Sequence, residues 1–226
     1  MSEILVEKVN EPIGTKPVVA VIGRFQPPTT AHYAVISAAK KFAHSRKDVG
    51  FDPLVRVIVV AGEKTGLDKR RNPLTAAERV KFMQASGHAN GVVYYVAKTA
   101  FEGLVALRKE GLEPIAIAAG SDRATAYKKL LDDYFMDGDK KVVHHTVQID
   151  RAPDSDAEAD EEVVKSMHAT GTVDRTLVSG GMARLAAELG YKDEFMKIVG
   201  LEDKPVLGDR LYQAVLSGVG EKKDVD

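Results

Sequence analysis

The chain contains no cysteine and no tryptophan among its 226 residues. The first absence excludes disulfides, thiolate zinc sites and a cysteine nucleophile together, and it fits a reducing compartment. The second leaves any aromatic stacking to phenylalanine and tyrosine. Neither sign of charge dominates: 32 Lys and Arg stand against 33 Asp and Glu, a net charge of −1. The overall basic footprint that would favour nucleic acid as a bulk partner is therefore missing. No run of about 18 apolar residues occurs, so no transmembrane helix is expected. Residues 1–8 carry acidic side chains and no long apolar stretch, unlike a secretory signal. No internal repeat or low-complexity segment is present. These absences point to a cytoplasmic protein with neither membrane nor nucleic acid as a partner.

What is present suits a globular enzyme-sized protein. Hydrophobic residues at 44% and charged residues at 29% exclude disordered and fibrous classes. The length allows one sizeable α/β domain. Short apolar runs alternate with helical segments, the pattern of parallel strands joined by crossover helices. Strands are expected at residues 17–22, 55–61, 92–96, 114–119 and 142–149, the second so rich in β-branched residues that it belongs inside a sheet. Helices are expected at about 31–45, from Pro73 onward with Thr75 and Glu78 as a capping box, at 101–109 ending on Gly111, and from Gly120 to about Tyr134, with a turn at 137–139. The fold class is thus α/β, a Rossmann-like doubly wound sheet of five parallel strands. Such sheets bind ligands beyond the carboxyl ends of their strands.

The remainder is helical: an acidic stretch at 153–162 leading into a short helix, then 180–189, 193–199 and about 208–216, with 221–226 as a frayed tail. The acidic stretch reads as a solvated helix start, because the glycine of a calcium loop is absent. We expect an α/β core at 1–150 and a helical region at 151–226 that completes the nucleotide site. That region can also supply a homo-oligomeric interface. His44, His88, His168 and the pair His144–His145 have no metal-ligand spacing, and no protein metal site is expected.

The chemistry concentrates in the loop after the first strand, Gly23-Arg24-Phe25-Gln26-Pro27-Pro28-Thr29-Thr30-Ala31-His32. A loop leaving a strand and entering a helix offers free backbone N–H groups and the positive helix end, both suited to phosphate. Thr29 and His32 can point at the same anion there. Alone, a histidine in this position is as well explained by a rigid loop with a satisfied side chain. Three further segments add candidates. Asn72-Pro73-Leu74-Thr75-Ala76-Ala77-Glu78-Arg79 places Arg79 one turn into a helix, where it can meet a phosphate or simply pair on the surface. Gly120-Ser121-Asp122 follows the fourth strand, and Asp122 can accept from ribose hydroxyls or serve as an N-cap. Val178-Ser179-Gly180-Gly181-Met182-Ala183-Arg184 places Ser179 at a helix N-cap and Arg184 farther along that helix.

Together these segments resemble the nucleotidyltransferase superfamily whose signature is a first-strand glycine followed by His/Thr-x-Gly-His. The string Gly23–Pro27 is similar to the archaeal-type nicotinamide mononucleotide adenylyltransferases, as is the stretch Asn72–Arg79, and Val178–Arg184 resembles the late Ile-Ser-x-Thr-x-x-Arg motif. The chain departs from these patterns at Thr29, Ala31 and Gly181. Ala31 leaves less room than glycine for a phosphate, and Gly181 removes a hydroxyl donor. The Thr-Thr-Ala-His loop also resembles virus-encoded members, whose setting would be the host cytoplasm.

The resemblance implies transfer of a nucleotidyl group from ATP, or another nucleoside triphosphate, to a phosphorylated small-molecule acceptor such as nicotinamide mononucleotide. It implies Mg²⁺ bridged by the substrate. His32, Thr29 and Arg184 would act on the triphosphate. Gly23, Arg24, Phe25, Gly120, Asp122 and Ser179 would bind the nucleotide, and Asn72 and Arg79 the acceptor. A cytidylyltransferase, another adenylyltransferase, or a nucleotide-binding protein of the same fold without turnover are the alternatives.

Overall fold

The computed structural model describes residues 16–46, 53–62, 68–135, 144–149, 157–175 and 177–220. The N-terminal segment, the turn at 137–139, the first residues of the fifth expected strand, the start of the acidic stretch and the C-terminal tail lie outside these residues. Five strands form one parallel sheet: β1 Lys16–Gly23, β2 Leu54–Val60, β3 Val93–Ala97, β4 Leu112–Gly120 and β5 His145–Ile149, in the order β3-β2-β1-β4-β5. The chain runs outward from β1 through β2 to β3, then returns to place β4 on the other side of β1. β1 and β4 therefore meet at the switch in strand order, and ligand crevices open at such a point.

β1 is apolar from Pro17 onward, and both faces of Val18–Ile22 are covered. Val19 and Val21 enter one core with α1, Thr30–Ser45, and α2, Ala76–Ser86. Val18, Ala20 and Ile22 enter the other, with α3, Ala100–Lys109, and α4, Ser121–Tyr134. Local chemistry sets the helix ends. The Thr75 hydroxyl accepts from the Glu78 amide at 3.2 Å, and the Glu78 carboxylate accepts from the Thr75 amide at 2.7 Å. Thr99 caps α3 through the Glu102 amide at 3.1 Å. Where α3 turns into β4, Arg108 donates to Glu113 at 2.9 Å in a buried pair.

The C-terminal helices are α5 Ala157–Thr170, α6 Gly180–Glu188, α7 Lys192–Val199 and α8 Pro205–Val219. They share a third core, built on Val164, Ala183, Phe195, Ile198 and Val215. Ala31 and Leu74 belong to this core too, one from the first turn of α1 and one from the entry to α2. The C-terminal helices thus pack directly on the two segments that leave β1 and β2. α8 comes so close that a Cβ on Gly218 would lie 2.5 Å from Pro73.

The acidic stretch departs from its sequence reading. It enters a helix of 14 residues rather than a short one, and Asp160 is only 5% exposed. The expectation for Ala31 changes as well. Its methyl group is buried in the helical core rather than pointed where a phosphate would approach.

The α3–β2 contact yields a stability test. A Cβ on Gly103 would collide with Cγ2 of Ile58. Gly103→Ala should destabilise the fold by about 1–3 kcal/mol through overpacking, despite the better helix propensity of alanine, about 1 kcal/mol. Urea unfolding midpoints provide the measurement, and an unchanged or raised midpoint would contradict the packing described.

Candidate active site

The loop after β1 is folded tightly by its own residues. Phe25 takes a left-handed backbone conformation, φ 53°, and is 2% exposed. Its ring lies over Gly23, where a Cβ would stand 3.0 Å from two ring carbons, so only glycine fits there without displacing the ring. The ring also packs against His32, with 5.0 Å between ring centroids. The Gln26–Pro27 peptide is cis.

Neighbouring segments hold this loop from two directions. From the α2 side, the Gln26 amide behaves like a strand partner. It donates to the Leu74 carbonyl at 2.5 Å and accepts from the Leu74 amide at 3.2 Å. Arg24 donates to the Asn72 side-chain oxygen. Arg79, with no solvent exposure, donates to the carbonyl oxygens of Arg24, Val60 (3.0 Å) and Thr75 (3.3 Å). From the helical side, Arg184 of α6 donates to the Gln26 carbonyl, and a Cβ on Gly180 would lie 2.5 Å from that same oxygen.

At the carboxyl ends of β1 and β4 this arrangement encloses a cavity of about 330 Å³. That volume lies near the lower end of the range for small-molecule sites. Of the residues singled out from the sequence, Gly23, Arg24, Phe25, His32, Gly120 and Arg184 line it. Thr29 and Ser179 do not; both are fully buried behind the wall. The Thr29 hydroxyl lies 2.8 Å from Nδ1 of His32, and the Ser179 hydroxyl accepts from the Met182 amide at 3.1 Å, capping α6. Asp122 is exposed beside Arg123 at 3.5 Å, outside the lining, and the N-cap of α4 is Gly120 rather than Asp122. Asn72 and Arg79 line a second cavity of about 520 Å³, between the start of α2 and the end of α8.

Four lining residues were not evident from the sequence: Arg71, Arg123, Tyr127 and Asp160. Arg123 and Tyr127 stand four residues apart on α4 and so share a face, a spacing legible once Gly120 is fixed as the cap. Arg71 ends the basic run Lys69-Arg70-Arg71, which carries no element signal. Its neighbour Arg70 ties that run to α6 through a double hydrogen bond to Glu188 at 2.8 and 2.9 Å. Asp160 gave no signal, because nothing local distinguishes it from the acids beside it.

Four arginines, Arg24, Arg71, Arg123 and Arg184, thus line the cavity, and Asp160 is the one acidic residue among the described residues of the lining. The arrangement suits a polyanion. Gly181 explains how the carboxylate comes to be there. A Cβ at residue 181 would stand 2.6 Å from Oδ2 of Asp160, 3.2 Å from the Ser179 hydroxyl and 3.8 Å from Nη2 of Arg184. The absent side chain is space given to Asp160.

The chain matches the family described as cytidylyltransferase-like over residues 20–168, more than half its length. It belongs to that family, within the nucleotidyltransferase superfamily. The match runs from the second half of β1 through β5 and most of α5. No protein of curated function matches the sequence. A solved structure described as a macrolide-efflux protein from Streptococcus pneumoniae is similar at 20% identity and a TM-score of 0.46, covering 83% of this chain. This chain spans 66% of the length of that structure. Among the described residues of this family member, no helix is long and apolar enough to cross a membrane.

Two measurements follow from the site. Burial, and secondarily the charge of Arg24, pull the pKa of Arg79 down to about 10. The folded state therefore pays for that proton at every pH below about 10, and the penalty fades as pH rises toward the ordinary value. A lysine would feel the same burial from a lower starting value. Arg79→Lys should cost about 2 kcal/mol near neutral pH, from lost carbonyl hydrogen bonds. It should regain part of this between about pH 7 and about pH 9 as the ammonium deprotonates in the folded state. Denaturant midpoints across that range are the readout, and a flat difference from wild type would contradict the burial argument. For the second, Gly181→Ala should be destabilising alone and relieved by Asp160→Ala. A double-mutant cycle should give a coupling of about 1 kcal/mol; additivity would mean the two residues do not compete for space.

Proposed function

We propose that this chain is an adenylyltransferase that joins ATP to nicotinamide mononucleotide, forming NAD and pyrophosphate. The observation that carries the transferase chemistry is the convergence of Arg24, Arg71, Arg123, Arg184 and His32 on one cavity at the ends of β1 and β4. The acceptor is supported by the similarity of Gly23–Pro27 and Asn72–Arg79 to nicotinamide mononucleotide adenylyltransferases. The aromatic side chain of Tyr127 on the lining offers a stacking surface for a base or pyridine ring.

In this reading an oxygen of the acceptor phosphate attacks the α-phosphorus of ATP in line. A new P–O bond forms as the bond to the β-phosphate bridging oxygen breaks, and pyrophosphate carries away the electron pair. The attacking phosphate is already anionic, so positioning and charge neutralisation do most of the work. His32 and Arg184 face the triphosphate where charge builds. The first-turn amides of α6, at Gly180 and Gly181, add donors at a helix N-terminus. Arg24, Arg71 and Arg123 balance the remaining phosphate charge. Asn72 and Arg79 shape the acceptor side through their hold on Arg24.

The lining fits a divalent cation that arrives with the nucleotide. Among the described residues no group of three or more His, Asp or Glu side chains could hold a metal alone, and Asp160 is the one carboxylate on the wall. Asp160 would be the residue to hold Mg²⁺ from the protein side, and the ion would supply charge neutralisation to the nucleotide.

Incubation with Mg²⁺, ATP or CTP, and a panel of phosphorylated acceptors tests the proposal by pyrophosphate release. Release with ATP and nicotinamide mononucleotide is expected. Release only with CTP, the nucleotide that the family description suggests, or only with another acceptor rejects this substrate pair and keeps the chemistry. Nucleotide binding without release for any pair indicates a protein that retains the site but not turnover. With an active pair, His32→Ala and Arg184→Ala should each lower kcat by roughly 100-fold or more. Full activity in either variant would remove that residue from the mechanism.

A further inference from the structure

Behind the cavity wall, Nδ1 of His32 receives two contacts from one residue. The backbone amide of Thr29 donates to it at 3.1 Å, and the Thr29 hydroxyl lies 2.8 Å from the same nitrogen. An amide N–H can only donate, so Nδ1 must offer its lone pair and carry no proton. The hydroxyl, free to rotate, then donates as well. The ring proton is left on Nε2, on the edge away from Thr29.

We propose that Thr29 is a positioning residue that fixes the tautomer of His32, holding Nδ1 as an acceptor so that Nε2–H is the donor a phosphate oxygen would meet. The catalytic half of this inference rests on the proposed nucleotidyl transfer; the tautomer does not. Three observations separate this role from direct phosphate binding by the threonine. Thr29 has no solvent exposure, it is absent from the cavity lining, and its hydroxyl already faces the imidazole. His32 does line the cavity, and the Phe25 ring against it at 5.0 Å restrains its tilt. The charged groups on the same lining are Arg24, Arg71, Arg123, Arg184 and Asp160. In such a cationic setting a neutral ring with a directed N–H donates to phosphate without adding another positive charge. The hydrogen bond made at one ring nitrogen of a histidine selects the tautomer and so the nitrogen that carries the proton.

The tautomer can be read directly in the ligand-free full-length chain. Proton–nitrogen correlation spectra of ¹⁵N-histidine-labelled protein near neutral pH report which ring nitrogen is protonated, with the His32 signals among the six histidines assigned by difference from His32→Gln. An unprotonated Nδ1 and a protonated Nε2 are expected. Thr29→Val, which keeps the β-branch and removes the hydroxyl, should weaken this preference and give averaged nitrogen shifts, and Thr29→Ser should restore it. With an active substrate pair, Thr29→Val should lower kcat by about tenfold and change KM less than about twofold, the effect of one lost buried hydrogen bond on a transition-state donor.

A proton on Nδ1 in the wild type overturns the proposal, and so does a Thr29→Val spectrum identical to it. A rise in KM with kcat intact does the same, since it would make the hydroxyl a phosphate ligand. If the wild type releases no pyrophosphate with any pair, the proposed function fails, while the spectra still decide the tautomer.

Discussion

The guanidinium of Arg79 is the hinge pin of this molecule. It lies inside the protein without solvent contact and directs Nε and Nη1 to main-chain oxygens from three places: the loop after β1, the end of β2 and the start of α2. Main-chain carbonyls buried in a loop must find donors, and a loop has no regular ladder to supply them. A rigid, five-donor fork bridging several carbonyls meets that need in a way no apolar side chain can. Its own charge is costly to bury, as the depressed pKa records. The loop that carries Arg24, Phe25 and Gln26 is stabilised at this expense.

The C-terminal helices answer the same need from the opposite side. Arg184 reaches the Gln26 carbonyl, while Ala31 and Leu74 sink into the helical core. The helical region is therefore joined to the parallel sheet through the loop after β1 itself. Cavity shape and tertiary docking depend on the same few residues, so a change in α6 or α8 is felt at the end of β1. Gly180 and Gly218 mark close approaches between the two regions, each with an atom of Gln26 or Pro73 2.5 Å from the missing Cβ.

Much of the fold was legible in the sequence, because it is written in local rules. The β-branched runs gave the strands, Thr75 with Glu78 gave the start of α2, and the Gly120 turn opened α4. The site was legible in part. Gly23, His32 and Arg184 are recognisable because motif spacing is a sequence property. Arg71, Arg123 and Asp160 meet only through tertiary folding, and nothing within a few residues of each announces that meeting. Burial also redistributed roles: Thr29 and Ser179, which look like phosphate ligands in a string of letters, stand behind the wall with their hydroxyls already engaged. Gly181 looked like a loss until the carboxylate opposite it was placed.

The origin of the four cavity arginines has a thermodynamic consequence. Arg24, Arg71, Arg123 and Arg184 come from four separate stretches of chain, and only the native state gathers them around one cavity. In the denatured ensemble those charges are far apart and solvated, so folding concentrates like charge that unfolding disperses. A polyanion bound in the cavity relieves that repulsion, and it has no equivalent seat on the unfolded chain. Conformational stability and ligand occupancy are therefore coupled through mass action. A polyanion that binds there would raise the denaturation midpoint in proportion to the logarithm of its concentration.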